Sequence, residues 1–544
     1  MNAICNTIKE VFGDAAVMKN QEANSLFGGR NLPSFVRDYV LRLFSLPDGS
    51  VDAVALNEYL SQKMPDLTKI SARLMAGDVI NLTTRFIIKN DLNRNRIKFS
   101  IPDAQITDGA YVMPALAAEK REDPETVDDF TDGEKWGNIT IRYVEPDSQR
   151  RGQQGGFIEM IGCRLFEPYR NIEVDIYRAC REQFNIEEWL DVLIAAMEYD
   201  PSVFTSLEQK MEFISRLLIL VEPKLNMIEL GPRGTGKSYV YKNLSKHVWM
   251  ISGGRVSRAQ LFYNVANRQF GPLKYHDALV IDEISTFQFS DPDEMESIMK
   301  SYLEDGNATV SNVYFTSECG VALTGNISLD DDMKPYDDEY FRKLPGIFSE
   351  AAVIDRISGF IEGWKLPRLS AGSILKGWTI DAEYFSGVLH QLRMVNEYSA
   401  IFDELVAKNP KYDLRDFKAV KKLAVAYCKL LLPHVTHLDV LDEQQLQEYR
   451  ELFRVFCLEP AMYRRGIIRQ QLHKIMPEEY PQHIEPPIVM TEVQQPPLPA
   501  QEEPLPIETD GNAAPFDGNE EEITETDGNA DPLDGTEEES TENQ

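Results

Sequence analysis

The stretch Lys224 to Ser238, KLNMIELGPRGTGKS, decides how the rest of this chain is to be read. Four residues, Met227-Ile228-Glu229-Leu230, have the apolar character of a short strand. A glycine-rich turn follows, and a helix is expected to open at Lys237. Gly231, Gly234 and Gly236 can take backbone angles closed to other residues, so successive N–H groups are free to point inward at phosphate oxygens. The helix end adds its positive dipole, Lys237 has the reach for β- and γ-phosphates, and the Ser238 hydroxyl suits a magnesium ion. Gly231, followed after four residues by Gly236-Lys237-Ser238, fits the P-loop spacing, so Gly231, Pro232, Arg233, Gly234, Thr235, Gly236, Lys237 and Ser238 are the expected nucleotide contacts.

Downstream of that loop, Val248 to Ile251 is expected to be a second strand and Val256 to Arg268 a helix. The apolar run Ala278-Leu279-Val280-Ile281 then ends in two carboxylates. Asp282 is placed to hold the magnesium shell with Ser238, and Glu283 to orient or deprotonate the attacking water. A further strand, Gly320 to Thr324, ends at Gly325-Asn326, where the Asn326 amide can position that water; asparagine is also an ordinary turn residue. Between the helix Pro292 to Glu304 and this strand, Ala308 to Ser317 has the pattern of an inserted β-hairpin. Arg356 follows the apolar run Val353-Ile354-Asp355 and is either an arginine supplied to a neighbouring subunit's phosphates or an internal salt-bridge residue. Arg415, near the start of a helix running from Asp413 to Leu432, either reaches the γ-phosphate from a lid or is an exposed helix-start arginine.

With 544 residues and 43% hydrophobic content the chain has room for two or three cores. No apolar run approaches the roughly 18 residues that a membrane-spanning helix needs, and the N-terminus lacks a basic-then-apolar leader, so a cytoplasmic protein without membrane partners is expected. The six cysteines, Cys5, Cys163, Cys180, Cys319, Cys428 and Cys457, contain no CxxC pair and are expected as reduced thiols. His434 and His437 have no second ligand pair nearby in sequence, so zinc is not expected. Net charge is −32, but residues 477–544 hold 20 acidic groups and no Lys or Arg, which leaves −12 on the rest. A basic surface or pore is therefore compatible with the composition.

Residues 1 to about 70 have helical periodicity, with Pro33 suited to the first turn of the run Ser34 to Phe44. From Asp78 to Phe166 β-branched and aromatic runs take over and predict a small β-rich domain. It carries a basic cluster, Arg85, Lys89, Arg94, Arg96 and Lys98, and a hairpin tip, SQRRGQQGG, with Arg150 and Arg151. These are either a nucleic-acid backbone contact or a solvated face. Acidic stretches at Glu122 to Glu125 and at Asp128-Asp129 are expected as solvated linker. Past Pro477 the sequence turns Pro/Glu-rich, with a 17-residue near-repeat starting at Glu508 and again at Glu525, too poor in apolar area to order itself.

Taken together, the strings IELGPRGTGKSYVY, ISGGRVSRAQLFYN, VIDEIS, MKSYLEDG, LTGNIS, DRISGFIEGWKLPR and LRDFKAVKKLA, with Leu32 to Val36 and Glu188 to Asp191, resemble an AAA+ ATPase. The likeness is to the group that inserts a hairpin before its sensor strand, as Lon and the MCM helicases do. More closely, the chain resembles the Lon-related BrxL family of BREX phage-exclusion systems, from about Leu32 to Tyr480. The resemblance implies an α/β AAA+ P-loop core with a parallel sheet and helical lid, preceded by a mixed helical and β-rich N-terminal domain and followed by a disordered acidic tail. The implied boundaries are 1–75 helical, 76–180 β-rich, 181–370 ATPase core, 371–476 lid and C-terminal helices, and 477–544 tail. It also implies ATP and Mg2+ as cofactors, Asn326 as sensor, Arg356 as trans-acting finger and Arg415 as second sensor. Further implications are a hexamer or double ring, DNA as the polymer, and other BREX proteins as partners.

Larger relatives continue into a Lon-like domain, whereas here low complexity follows, so peptidase activity is not expected. The string Leu369 to Ser373 is only a faint likeness of a peptidase serine motif. Three functions stay open: a ring ATPase acting on DNA, a protein-remodelling ATPase serving a separate protease, and a nucleotide-gated scaffold with little turnover.

Overall fold

A computed structural model describes residues 3–490, apart from 20–24, 28–31, 47–49, 65–66, 92–93, 124–125, 147–154, 167–168, 170, 267, 343, 410–412 and 483–487. Its centre is a five-stranded parallel sheet: β1 Met227–Leu230, β2 Val248–Val256, β3 Ala278–Phe289, β4 Gly320–Gly325 and β5 Gly359–Glu362, in spatial order β5-β1-β4-β3-β2. β1 and β4 are buried at every position, as strands covered on both faces must be, which explains their unbroken apolar runs. The chain leaves β1 for β2 at the far edge and returns between them. This puts a switch in connection direction at the C-terminal ends of β1 and β4, where α/β sheets open a crevice. The mixed α/β architecture is consistent with an AAA+-like core.

The hairpin is present, as Asn307–Val310 paired with Val313–Thr316. Its two-residue turn has positive φ at both Ser311 (48°) and Asn312 (66°), the geometry of a type I′ turn. The helix expected over Val256 to Arg268 is not formed. β2 instead continues to Val256, one turn of helix spans Arg258–Leu261, and Tyr263–Asn264 pairs with Gln269–Phe270. Two facts account for the difference: Arg268 sits at φ 54°, which ends any helix, and the ring pairs Tyr263–Phe270 and Phe262–Phe315 tie this segment to the core beside the sheet.

The β-rich segment closes into a barrel. Ile80–Asp91, Arg96–Ser100, Ala110–Val112, Phe157–Leu165 and Gly133–Val144 pair in that order and return to the first strand, with a helix, Pro114–Glu122, between the third and fourth strands in sequence. This is the topology of an OB-type Greek-key barrel. Its core is separate, built on Leu82, Phe86, Ile88, Phe99, Ile139 and Met160. The domain ends sooner than residue 180, because helix Val174–Glu182 packs Tyr177 and Cys180 into the core around the parallel sheet. The N-terminal helical region is divided too. Helix Ala3–Phe12 and strand Ala16–Lys19, the latter paired with Gly377–Ile380, belong to the body built on the parallel sheet. Asp129, expected in solvated linker, is buried and ion-paired with Lys120 at 2.9 Å.

Helices Ala382–Arg393, Glu397–Leu405, Leu414–Leu431, Glu443–Phe453 and Glu459–Ile475 follow the sheet. Order extends past residue 477, since Ile488–Met490 pairs antiparallel with Val406–Lys408. Arg150, Arg151 and the repeat beyond Glu508 lie outside the described residues.

Candidate active site

The P-loop connects β1 to helix Lys237–Asn243 and is held from below by a buried ion pair. Arg216 donates to both Glu229 carboxylate oxygens, at 2.6 and 2.9 Å, and to the Thr235 carbonyl at 2.9 Å. Both side chains are about fully buried, at 0% and 1% exposure, so neither charge is tolerable without the other. Gly236 takes φ +80°, and a Cβ there would meet the Tyr199 hydroxyl and the Leu369 side chain, each at 2.9 Å. Leu369 N donates to the Gly234 carbonyl at 2.7 Å, so residues 199 and 369 wall the loop from outside. Gly231 carries no side chain for a different reason: the Gly363 backbone lies 2.7 Å from where its Cβ would be.

Parallel pairing brings the C-terminal ends of β1 and β4 level with Asp282 and Glu283 of β3, and one cavity of about 250 Å³ results. It is lined by Arg233, Gly234, Thr235, Gly236, Lys237, Ser238, Asp282, Glu283 and Asn326, with Tyr239 and Gly325. Gly231 and Pro232 lie just behind, and their carbonyls accept from Lys237 Nζ at 3.1 and 2.8 Å. Burial lowers the Lys237 pKa from the ordinary lysine value, with Glu229 and Asp282 opposing that shift. Asp282 is 7% exposed, and its Oδ1 accepts from Thr324 Oγ1 at 2.6 Å and from Glu283 N at 3.0 Å. That leaves Oδ2 for a magnesium shell. Glu283 has φ +51°, strained for a residue with a side chain, where the pairing of β3 with β2 shifts register between Asp282 and Phe287. The donors fit a magnesium triphosphate: a glycine cradle where a Cβ would collide, one ammonium, one hydroxyl, one anchored carboxylate and one exposed carboxylate.

Arg356 and Arg415 do not line this cavity. They meet in another, of about 260 Å³, together with Glu304, Asp355, Lys418, Lys421 and Lys422. Glu304 pairs with Arg356 Nε at 3.1 Å and with Arg415 at 2.9 Å. Asp355 bridges Arg415 to Arg465, whose guanidinium also bonds the Asp355 and Ile357 carbonyls at 3.0 and 2.7 Å. Arg415, expected either to reach the γ-phosphate from a lid or to be an exposed helix-start arginine, lies beside Arg356, away from the P-loop cavity.

Several contributors were not legible beforehand. Thr324, which orients Asp282, is the threonine of LTGNIS and carries no spacing signal of its own. Glu229, an acid in a wholly buried strand, signalled a buried cation partner, but nothing pointed to Arg216. Ser370 and Ser373 form a reciprocal cap on a single 3₁₀ turn, which accounts for the serine string there. In the barrel, Arg85 is tied to Asp103 at 2.9 Å and Lys98 to Asp91 at 2.8 Å, whereas Arg94 and Arg96 are exposed at the connection between the first two strands. The Arg96 guanidinium lies 5.3 Å from the Tyr111 ring centroid, and Tyr111 packs edge-on to Phe157.

Among the described residues no helix is long and apolar enough to cross a membrane. A family model described as the ATPase domain of Lon-like protease BrxL-like proteins matches residues 163–485. Two curated relatives, both named Lon-like protease BrxL, are similar over 84% of this chain. The one from Escherichia coli O9:H4 (strain HS) is 24% identical over 472 residues and covered for 63% of its length. The one from Bacillus cereus (strain H3081.97) is 29% identical over 468 residues and covered for 65%. The chain thus spans a little under two thirds of either relative. The matched segment runs from the last barrel strand through every element that builds the two cavities, and on that match the chain belongs to the BrxL-like ATPase family.

Proposed function

We propose that this chain is a Mg2+-dependent ATPase that works as a closed ring of its own copies, a hexamer or paired rings, and acts on DNA within a BREX-type phage defence system alongside other BREX proteins. One observation carries the ring: the P-loop, Asp282, Glu283 and Asn326 share one cavity, while Arg356 and Arg415 share another. A site whose cations are housed apart is complete only when a neighbour presents them.

Bound ATP with its magnesium supplies the phosphoanhydride to be split. The P-loop N–H groups and Lys237 would hold its phosphates, Ser238 and Asp282 would hold the ion, Glu283 would take the proton of the attacking water, and Asn326 would orient that water. Arg356, released from Glu304, neutralises the charge developing on the neighbour's γ-phosphate, an effect worth about 10³ to 10⁵ in rate for a trans-acting arginine. DNA as the polymer is supported by the OB-type barrel, an architecture suited to oligonucleotides, and by Arg94, Arg96 and Tyr111 on its strands and connection. A role in binding or translocating DNA follows from that reading.

Subunit mixing tests the ring. Arg356→Ala and Lys237→Ala are each expected to be inactive alone, and their mixture to regain turnover, because the first supplies an intact P-loop and the second an intact arginine. A mixture that stays dead overturns the shared site. Stimulation of turnover by DNA, weakening as salt rises, supports the DNA reading; stimulation by unfolded protein alone would replace it with protein remodelling, and full function in Glu283→Gln with a scaffold.

A further inference from the structure

At the end of the sheet opposite the P-loop, three potential ligands from separate parts of the chain come together. His247 immediately precedes β2, Asp277 immediately precedes β3, and His390 lies on helix Ala382–Arg393. One ligand atom from each falls within 4.8 Å of the others. The two imidazoles stack with centroids 4.1 Å apart and planes 7° apart, and His390 Nδ1 lies 2.8 Å from Asp277 Oδ2.

The frame behind these side chains is rigid. Asp277 N donates to the His247 carbonyl at 2.8 Å, and Gly320 N to the Asp277 carbonyl at 2.9 Å, so two ligands sit on bonded backbone. Arg393, buried and donating to the carbonyls of Ile219 at 2.7 Å and Glu318 at 2.6 Å, brings Nε to 3.4 Å from Asp277 Oδ1. It thereby fixes the carboxylate with Oδ2 turned to the histidines, as an outer residue orients a metal ligand. His247 has no hydrogen bond at its ring nitrogens among the described residues. His390 is one-third exposed and Asp277 12%, so an ion can enter and retain water.

We propose that His247, Asp277 and His390 bind one divalent transition-metal cation, zinc by ligand type, clasping the first helix after the sheet to the starts of β2 and β3. Two imidazoles and one carboxylate are a donor set for zinc or a related borderline ion, with water completing the shell. Capture exchanges the His390–Asp277 hydrogen bond for two metal bonds and turns the rings out of parallel, since parallel rings cannot aim both lone pairs at one centre. The nearby Arg393 charge makes this a weaker site than a closed cysteine-rich zinc centre.

The test loads the metal-stripped full chain with Co2+ or Zn2+ in excess Mg2+, which occupies the hard P-loop site instead. Wild type is expected to take up one equivalent, to show visible d–d absorption with Co2+, and to melt higher with Zn2+. His390→Gln and His247→Gln are each expected to bind at least about tenfold more weakly and to lose the Zn2+ shift. His390→Gln, at a partly exposed position, keeps the comparison open if the other variant fails to fold. No uptake by wild type in excess Mg2+, or uptake unchanged in His390→Gln, overturns the proposal.

Discussion

Thr324 Oγ1 donates a hydrogen bond to Asp282 Oδ1, and this bond decides which carboxylate oxygen is left for the ion. Thr324→Val keeps the shape of a buried side chain and removes that bond. The Mg2+ concentration for half-maximal turnover is therefore expected to rise by about 10- to 100-fold, the usual cost of losing an outer partner, with little change in melting temperature. His434 shows a different residue-scale effect. Burial, with the Arg181 charge second, lowers its pKa to about 4, and Nδ1 has no hydrogen-bond partner. Its unfolded value is about 6.5, so the unfolded chain takes up a proton that the folded chain refuses. The stability contribution is thus fully present above about pH 6.5 and is lost as pH falls towards 4. His434→Leu is expected to flatten the decline of the unfolding midpoint across that window, measured by thermal melts at stepped pH. None of this was visible in sequence, where His434 stood only as half of a histidine pair with too few neighbours to hold zinc.

The elements around the P-loop are short and depend on one another. β1 has four residues, and its single acid is neutralised by Arg216, which also holds the loop through the Thr235 carbonyl. Arg216→Met strands Glu229 in the core and is expected to cost about 3–5 kcal/mol in denaturant unfolding, whereas changing Arg216 and Glu229 together to apolar residues costs far less. Tyr314 belongs to an element with the opposite balance. It is 68% exposed on the second hairpin strand, beyond a turn that needs no side-chain support. Tyr314→Ala is therefore expected to leave the unfolding free energy within about half a kcal/mol of wild type, as for an ordinary surface substitution. If the hairpin grips the polymer, DNA-stimulated turnover should fall while basal turnover holds. The hairpin was legible because β-branched residues flank a two-residue polar turn. The segment after β2 was misread because its helical periodicity yielded to tertiary contacts of Phe262, Tyr263 and Phe270.

Across the whole described molecule, helix Ser34–Leu43 joins the barrel to the ATPase. Towards the barrel it sends Phe35 against Trp136 and Tyr39 against Phe166, at 6.1 and 4.4 Å between centroids. Towards the ATPase, Asp38 meets Lys19, while Arg37 contacts both Glu198 and Tyr239, the residue directly after Ser238. Burial raises the Glu198 pKa, but Lys19 and Arg37 outweigh it and hold that carboxyl below the usual glutamate range, whereas burial lifts the Asp38 carboxyl despite Lys19. Tyr39→Ala, which loosens only the barrel side, is expected to preserve basal turnover and to reduce its stimulation by DNA at least severalfold, compared by steady-state assay with and without duplex. Sequence alone determined the phosphate cradle, the two carboxylates that end the apolar run of β3 and the family, because these depend on local spacing: a turn of fixed glycines, an apolar run and the residue that ends it. Tertiary structure alone decided that Arg356 and Arg415 share Glu304 away from the P-loop, that the β-rich runs close into a barrel, and that His247, Asp277 and His390 meet. Those outcomes depend on strand order and on which buried charges find each other, and neither is written in the spacing of residues along the chain.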